Sequence, residues 1–167
     1  MKEGWKGQCV DQAFECFHRG SGQNVLVYNQ STKKLKRKAP RSVQISLTSH
    51  CNMDCSFCYR DQEAENTCTP EYLTDFLIKL SEWGVLEVSF GGGEPLLYKG
   101  FVELIQEVYQ NTDMGLNLTT NGLLLTDEKI SKLSPYIGEF RLSIYSNNNY
   151  EKTLRRLKGL NVGVNQL

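Results

Sequence analysis

The chain has 167 residues, with 19 basic and 19 acidic side chains and 40% hydrophobic residues, enough for one soluble domain with a real hydrophobic core. Balanced charge leaves no global field to draw nucleic acid or an anionic membrane, so neither is expected as a partner. The opening MKEGWKGQCVDQAFEC lacks the apolar core of a secretory signal and no stretch reaches the roughly 20 apolar residues that span a bilayer, so a cytoplasmic protein is expected.

Composition divides the chain into a prefix, residues 1–41, and a core, residues 42–167. In the prefix a Cys/aromatic segment precedes the apolar run from Asn24 to Tyr28, a polar turn at Gln30-Ser31-Thr32 and the basic run KKLKRKAPR. This pattern reads as a β-hairpin. The six positive charges between Lys33 and Arg41 could grip an acidic partner or simply guard a solvated edge strand.

In the core, an alternating strand from Ser42 to Thr48 runs into a cysteine-rich loop. A helix then opens with Thr69 as cap and Pro70 in its first turn, and stops at Gly84 after Trp83. A second strand, Val85 to Phe90, enters the glycine loop Gly91-Gly92-Gly93-Glu94-Pro95, and Phe101, Leu104, Ile105 and Val108 fall at helical spacing. The third strand spans Gly115 to Thr120. Asn121-Gly122 then turns the chain toward a helix starting near Thr126-Asp127-Glu128. Phe140 to Tyr145 forms a fourth strand, Glu151 to Lys158 a fourth helix, and Val162-Gly163-Val164 begins a fifth strand. Strands alternating with helices at this spacing predict an α/β fold of βαβ units with one parallel sheet, either doubly wound or curled toward a barrel.

Six cysteines without an export signal point to metal or redox use rather than disulfides. Cys51, Cys55 and Cys58, on a loop directly after a strand, can converge on one small object, as the thiolates of iron-sulfur clusters do. A structural zinc site is the alternative, with His50 or Cys68 as a fourth ligand. Three ligands also have a positive meaning, because a cubane with three protein thiolates keeps one iron open to bind and activate a small molecule. Cys9, Cys16 and Cys68 fit no further cluster spacing and read as idle or buried thiols.

The run CNMDCSFC resembles the CxxxCxxC signature of the radical S-adenosylmethionine (SAM) superfamily, including the aromatic Phe57 before the third cysteine. The resemblance implies a [4Fe-4S] cluster on Cys51, Cys55 and Cys58, with SAM chelated at the open iron. An electron from the cluster would cleave SAM to methionine and a 5′-deoxyadenosyl radical that abstracts hydrogen from substrate. The glycine loop is similar to the family's GGE motif, which implies that Gly92, Gly93 and Glu94 meet the SAM amino group, with Glu94 as acceptor for the ammonium. Thr119-Thr120-Asn121-Gly122 resembles the TTNG of many members, and Ser143 falls where members use a serine toward SAM, so Phe57, Thr120, Asn121 and Ser143 join the expected cofactor-binding set. As residue types alone, Asn-Gly is an ordinary turn and a strand serine can be merely small and satisfied.

The resemblance covers roughly Ser42 to the end and implies a partial (β/α)6 TIM-like barrel, incomplete in this chain. It also implies a low-potential electron donor such as a ferredoxin or flavodoxin. The overall look lies near the SPASM and molybdenum-cofactor-biosynthesis branch, and a peptide or protein substrate is favoured, with a small metabolite or nucleotide and a non-catalytic metal-binding module as alternatives. A SPASM extension would lie beyond this chain. Two departures bear on substrate: Gln44 and Ser89 stand where the cyclic-pterin-forming enzyme of that branch carries arginines for a triphosphate, which disfavours a triphosphate here. Tyr145 stands where many members have aspartate.

Overall fold

The computed structural model describes residues 4–10, 13–30, 37–58, 60–61, 64 and 68–166. Where a hairpin is expected in the prefix, three strands form: β1 (Trp5–Val10), β2 (Ala13–His18) and β3 (Asn24–Val27), antiparallel in the order β1-β2-β3. On β2, Ala13, Glu15 and Phe17 point inward and are buried, the period-two pattern of a half-buried strand. The inward Glu15 breaks the apolar alternation that would announce this strand in the sequence. Its carboxylate accepts from Arg37 Nη1 at 2.7 Å and Nη2 at 2.8 Å, and from Gln8 and Asn24 at 3.1 Å each. At least this cation of the basic run is therefore spent within the fold rather than on a partner, and Arg41 lies 3.6 Å from Glu87. The expected turn at Ser31-Thr32 and the lysines at 33, 34 and 36 lie outside the described residues.

The core forms β4 (Ser42–Ser46), α1 (Pro70–Glu82), β5 (Glu87–Gly91), a 3₁₀ turn (Pro95–Leu97), α2 (Phe101–Asn111), β6 (Gly115–Thr120), α3 (Asp127–Leu133), β7 (Ile137–Ile144), α4 (Tyr150–Arg156) and β8 (Val162–Gln166). Thr69 caps α1 by accepting from the Tyr72 amide at 3.3 Å, and Thr126 does the same for α3 from Lys129 at 3.2 Å, satisfying amides that have no partner inside the helix. The strands pair in parallel in the order β4-β5-β6-β7-β8. This order never reverses, which decides between the two expected windings: a doubly wound sheet has a reversal point, whereas a barrel wall is wound in one direction.

Alternation along these strands separates two faces. Val88, Phe90, Leu116, Leu118 and Phe140 are buried in one cluster with Leu77 of α1 and Leu104, Ile105 and Val108 of α2, and Phe90 meets Phe101 edge-on at 5.9 Å. Each such side chain contributes about 1.5–3 kcal/mol by leaving water. The opposite face is polar and small: Gln44 and Ser46, Ser89 and Gly91, Asn117 and Thr119, Arg141 and Ser143 alternate with the core positions.

The two sheets are joined at Arg19. Its guanidinium lies 3.3 Å over the Tyr109 ring and donates to the carbonyls of Met114 at 2.8 Å and Tyr109 at 2.7 Å. Among the described residues no helix is long and apolar enough to cross a membrane.

Candidate active site

The C-terminal ends of the parallel strands and the loops that leave them enclose a cavity of about 940 Å³, the end at which parallel α/β barrels carry their sites. Cys51, Cys55 and Cys58 line it together with Phe57, Gly91, Gly92, Gly93, Thr120, Asn121, Ser143 and Tyr145. His50 and Cys68, the fourth ligands of the zinc alternative, do not line it. No three His, Cys, Asp or Glu side chains among the described residues gather as closely as one metal ion requires. A mononuclear zinc draws its thiolates to about 2.3 Å from one centre, whereas a cubane places each thiolate on a different iron. The three cavity thiols are a donor set of the kind a cubane with one open iron uses. Burial pushes the Cys55 thiol up, and neighbouring Cys51 and Cys58 push it further, a repulsion that bound iron would relieve.

The loop carrying the cysteines is braced from within. The Cys58 amide donates to the Cys55 carbonyl at 3.0 Å, and the Arg60 guanidinium donates to the carbonyls of Ser49 and, at 3.3 Å, Met53. At its base the segment entering the loop is fastened to the glycine loop: Leu47 N to Gly91 O at 3.0 Å, Gly93 N to Thr48 O at 2.6 Å and Glu94 N to His50 O at 2.8 Å. The glycines follow from this contact. A Cβ on Gly93 would stand 2.1 Å from the His50 carbonyl oxygen, and one on Gly92, whose φ is +121°, 2.6 Å from that of Thr48. Gly92 and Gly93 thus make room for the cysteine-bearing segment, while at Gly91 an added Cβ meets nothing within 4 Å. Within the loop Gly91 is the glycine with free space beside it, and the expected cofactor-binding set does not include it.

Glu94 is placed otherwise than expected. Its side chain is 0% exposed and is absent from the cavity wall. Oε1 accepts from Leu96 N at 3.2 Å and Thr120 Oγ1 at 2.8 Å, and Oε2 from Asn121 N at 3.0 Å. In this structure the carboxylate ties the glycine loop to the end of β6. With only neutral donors directly bonded to it, burial raises its pKa above the ordinary carboxylate value despite those bonds. Thr120 is likewise a brace, its hydroxyl also accepting from Gly122 N at 3.0 Å.

Asn121 joins the two loops. Its Nδ2 reaches Asn52 Oδ1 at 2.8 Å and Cys51 Sγ at 3.8 Å, and its Oδ1 accepts from Leu123 N at 3.0 Å. Its carbonyl accepts from Asn148 Nδ2 at 2.9 Å, which also donates to Ser143 O at 2.7 Å. Asn148 escaped the sequence reading because nothing in the run Ser146-Asn147-Asn148-Asn149 marks which asparagine turns inward; Asn149 only caps α4, from Lys152 N at 3.4 Å. Phe57, 55% exposed, packs on Tyr145 with ring centroids 5.5 Å apart, so the residue that replaces the expected aspartate forms an aromatic rim with it.

This arrangement has relatives. Residues 45–163 match the family model of the Radical SAM superfamily. The chain belongs to that superfamily. Radical SAM proteins use a [4Fe-4S] cluster and SAM. The probable GTP 3′,8-cyclase of Methanocaldococcus jannaschii is 36% identical over 88 residues, which is 51% of this chain and 30% of that protein. The sporulation killing factor maturation protein SkfB of Bacillus subtilis is 35% identical over 127 residues, 72% of this chain and 30% of that protein. This radical SAM chain therefore spans under a third of the length of these curated relatives. Among solved structures, Streptococcus suis SuiB bound to S-adenosylmethionine superimposes with a TM-score of 0.76 at 15% identity, covering 99% of this chain and 56% of that one. SuiB bound to the precursor peptide SuiA gives 0.68 at 22% identity, over 77% and 33%.

Proposed function

We propose that this chain provides the initiating site of a cytoplasmic radical SAM enzyme that modifies a peptide or protein by hydrogen abstraction, supplied with electrons by a ferredoxin or flavodoxin. The observation that carries the reading is the shared cavity, which Cys51, Cys55 and Cys58 line together with Gly91 to Gly93 and Ser143. When bound, cluster and SAM together supply reductive cleavage of SAM and a carbon-centred radical that abstracts hydrogen. The protein's own part is positional. The three thiols hold the iron, the glycine loop backbone and Ser143 receive SAM, and Phe57 with Tyr145 screens the rim from water. SkfB, named as a maturation protein, aligns over 127 residues and favours the peptide reading. The cyclase similarity over 88 residues favours a nucleotide or other small metabolite as the second reading.

The test is anaerobic reconstitution of the chain with iron and sulfide, followed by metal analysis and addition of dithionite and SAM. Iron and sulfide in near-equal amounts and formation of 5′-deoxyadenosine are expected, both abolished by Cys55→Ser. Zinc without sulfide would overturn the reading in favour of a metal-stabilised binding module.

A further inference from the structure

One layer below Ser143, the cavity floor is built around a cation that the sequence reading did not single out. Along β7, Glu139, Arg141 and Ser143 alternate onto the polar face, and strand pairing puts Arg141 beside Thr119 of β6 and Gly163 of β8. Arg141 Nε donates to Glu139 Oε2 at 2.6 Å, and Nη1 crosses β6 to donate to Ser89 Oγ at 2.7 Å. β8 leaves space for the pair: a Cβ on Gly163 would lie 2.7 Å from Glu139 Oε1 and 3.5 Å from Arg141 Cγ. The guanidinium plane is thus fixed at two of its three nitrogens, and Nη2 has no protein partner among the described residues.

Glu139 is the acidic partner at the base of the guanidinium; among the described residues that line the cavity, Arg60 and Arg141 are charged and no aspartate or glutamate is present. Arg60 is committed to the carbonyls of Ser49 and Met53, whereas the Arg141 side chain is 30% exposed. With Nε on Glu139 and Nη1 on Ser89, both Nη2 hydrogens are left to meet a carboxylate oxygen. Gln44 and Ser89 are neutral, as read from the sequence, yet a cation reaches the same floor from β7.

We propose that Arg141 is a specificity-determining residue that receives a carboxylate of the peptide substrate, with Glu139 and Ser89 holding its plane. This rests on the peptide-modifying reading above. The carboxylate is either an acidic side chain or a chain terminus, and Arg141 addresses the chemistry they share.

Three pentapeptides test it: Ac-Ala-Ala-Glu-Ala-Ala-NH2, the same peptide with Gln for Glu, and the Gln peptide with a free C-terminal carboxylate. Their affinities for the cluster-loaded chain with SAM are measured by saturation-transfer NMR. At least one carboxylate peptide is expected to bind on the order of tenfold more tightly than the amidated Gln peptide, as a charge-assisted hydrogen bond gives. Which of the two does so identifies side chain or terminus. In Arg141→Gln the preference falls to about one while iron content, the folding control, is kept; Arg141→Lys retains only part of it, having charge without the planar guanidinium. Equal binding of all three peptides to the wild-type chain overturns the proposal whether or not the variants fold, as does a preference that survives Arg141→Gln. SAM cleavage without discrimination sinks this proposal alone. Discrimination through Arg141 in a chain that never cleaves SAM sinks the radical reading alone.

Discussion

Two carboxylates are removed from water in different parts of this molecule, and their surroundings treat them in opposite ways. Glu15 in the small antiparallel sheet is met by a bidentate guanidinium, and Arg37 holds its pKa below the ordinary carboxylate value. Glu94 beside the cavity has three direct donors, all neutral, and burial drives its pKa up. Both side chains are covered, yet Glu15 has a guanidinium to offset its desolvation, whereas Glu94 lies deeper with only neutral donors bonded to it, and desolvation prevails there. Glu15 belongs to a device that ties the strands of the first sheet to the segment carrying Arg37. Glu94 belongs to one that sets the spacing of two loops.

The largest expected effect comes from breaking the charged pair. Arg37→Ala leaves Glu15 buried without its cation and should cost about 3 kcal/mol in urea unfolding, while iron incorporation in the folded fraction is unchanged. An equal loss of iron would mean that the two regions are not separate devices. Glu94→Gln comes next. The amide offers one acceptor where two oxygens served three donors, and its NH2 faces a donor, for about 1–3 kcal/mol.

The two carboxylates also differ in pH dependence. Glu15 contributes stability that is present above its unfolded pKa and lost as pH falls through its depressed folded value. For Glu94 the folded state binds the proton more tightly than the unfolded one, so stability falls as pH rises from the ordinary carboxylate value through the raised one. The advantage of wild type over Glu94→Gln should therefore shrink with rising pH across that window, as read from urea midpoints. A constant difference would show that Glu94 has an ordinary pKa. The smallest effect is expected at Lys6 and Asp113, a 2.6 Å pair with both side chains nearly half exposed: Lys6→Ala should change stability by under about 1 kcal/mol.

Much of the core was legible because its signals are local. The Thr69 cap, Pro70 in the first turn and the Gly84 stop define α1 within a residue or two, and the expected third strand coincides with β6. The prefix was less legible, since β1 and β2 carry glycine, glutamine and an inward glutamate where alternation should be apolar. At the site, the cysteines and glycines could be seen, but not their partners. Glu94 meets Thr120 across 26 residues, Asn121 meets Cys51 across 70 and Arg141 meets Ser89 across 52. Such pairs are set by strand order, which periodicity does not report. The glycine loop shows the limit from the other side: its composition suggested close approach of a ligand, and at Gly92 and Gly93 the close approach is to the protein's own backbone.

The division of the parallel sheet into an apolar and a polar face has a consequence for how such a protein changes over generations. Val88, Phe90, Leu116, Leu118 and Phe140 settle whether the chain folds, while Gln44, Ser89 and Arg141, each a direct sequence neighbour of one of these or of Ile45, line the cavity from the polar face. Exchanging a polar-face residue leaves the apolar cluster intact, so the lining can drift toward a new substrate through folded intermediates. A lineage built on this sheet can keep one way of starting a reaction and repeatedly alter what the reaction is done to.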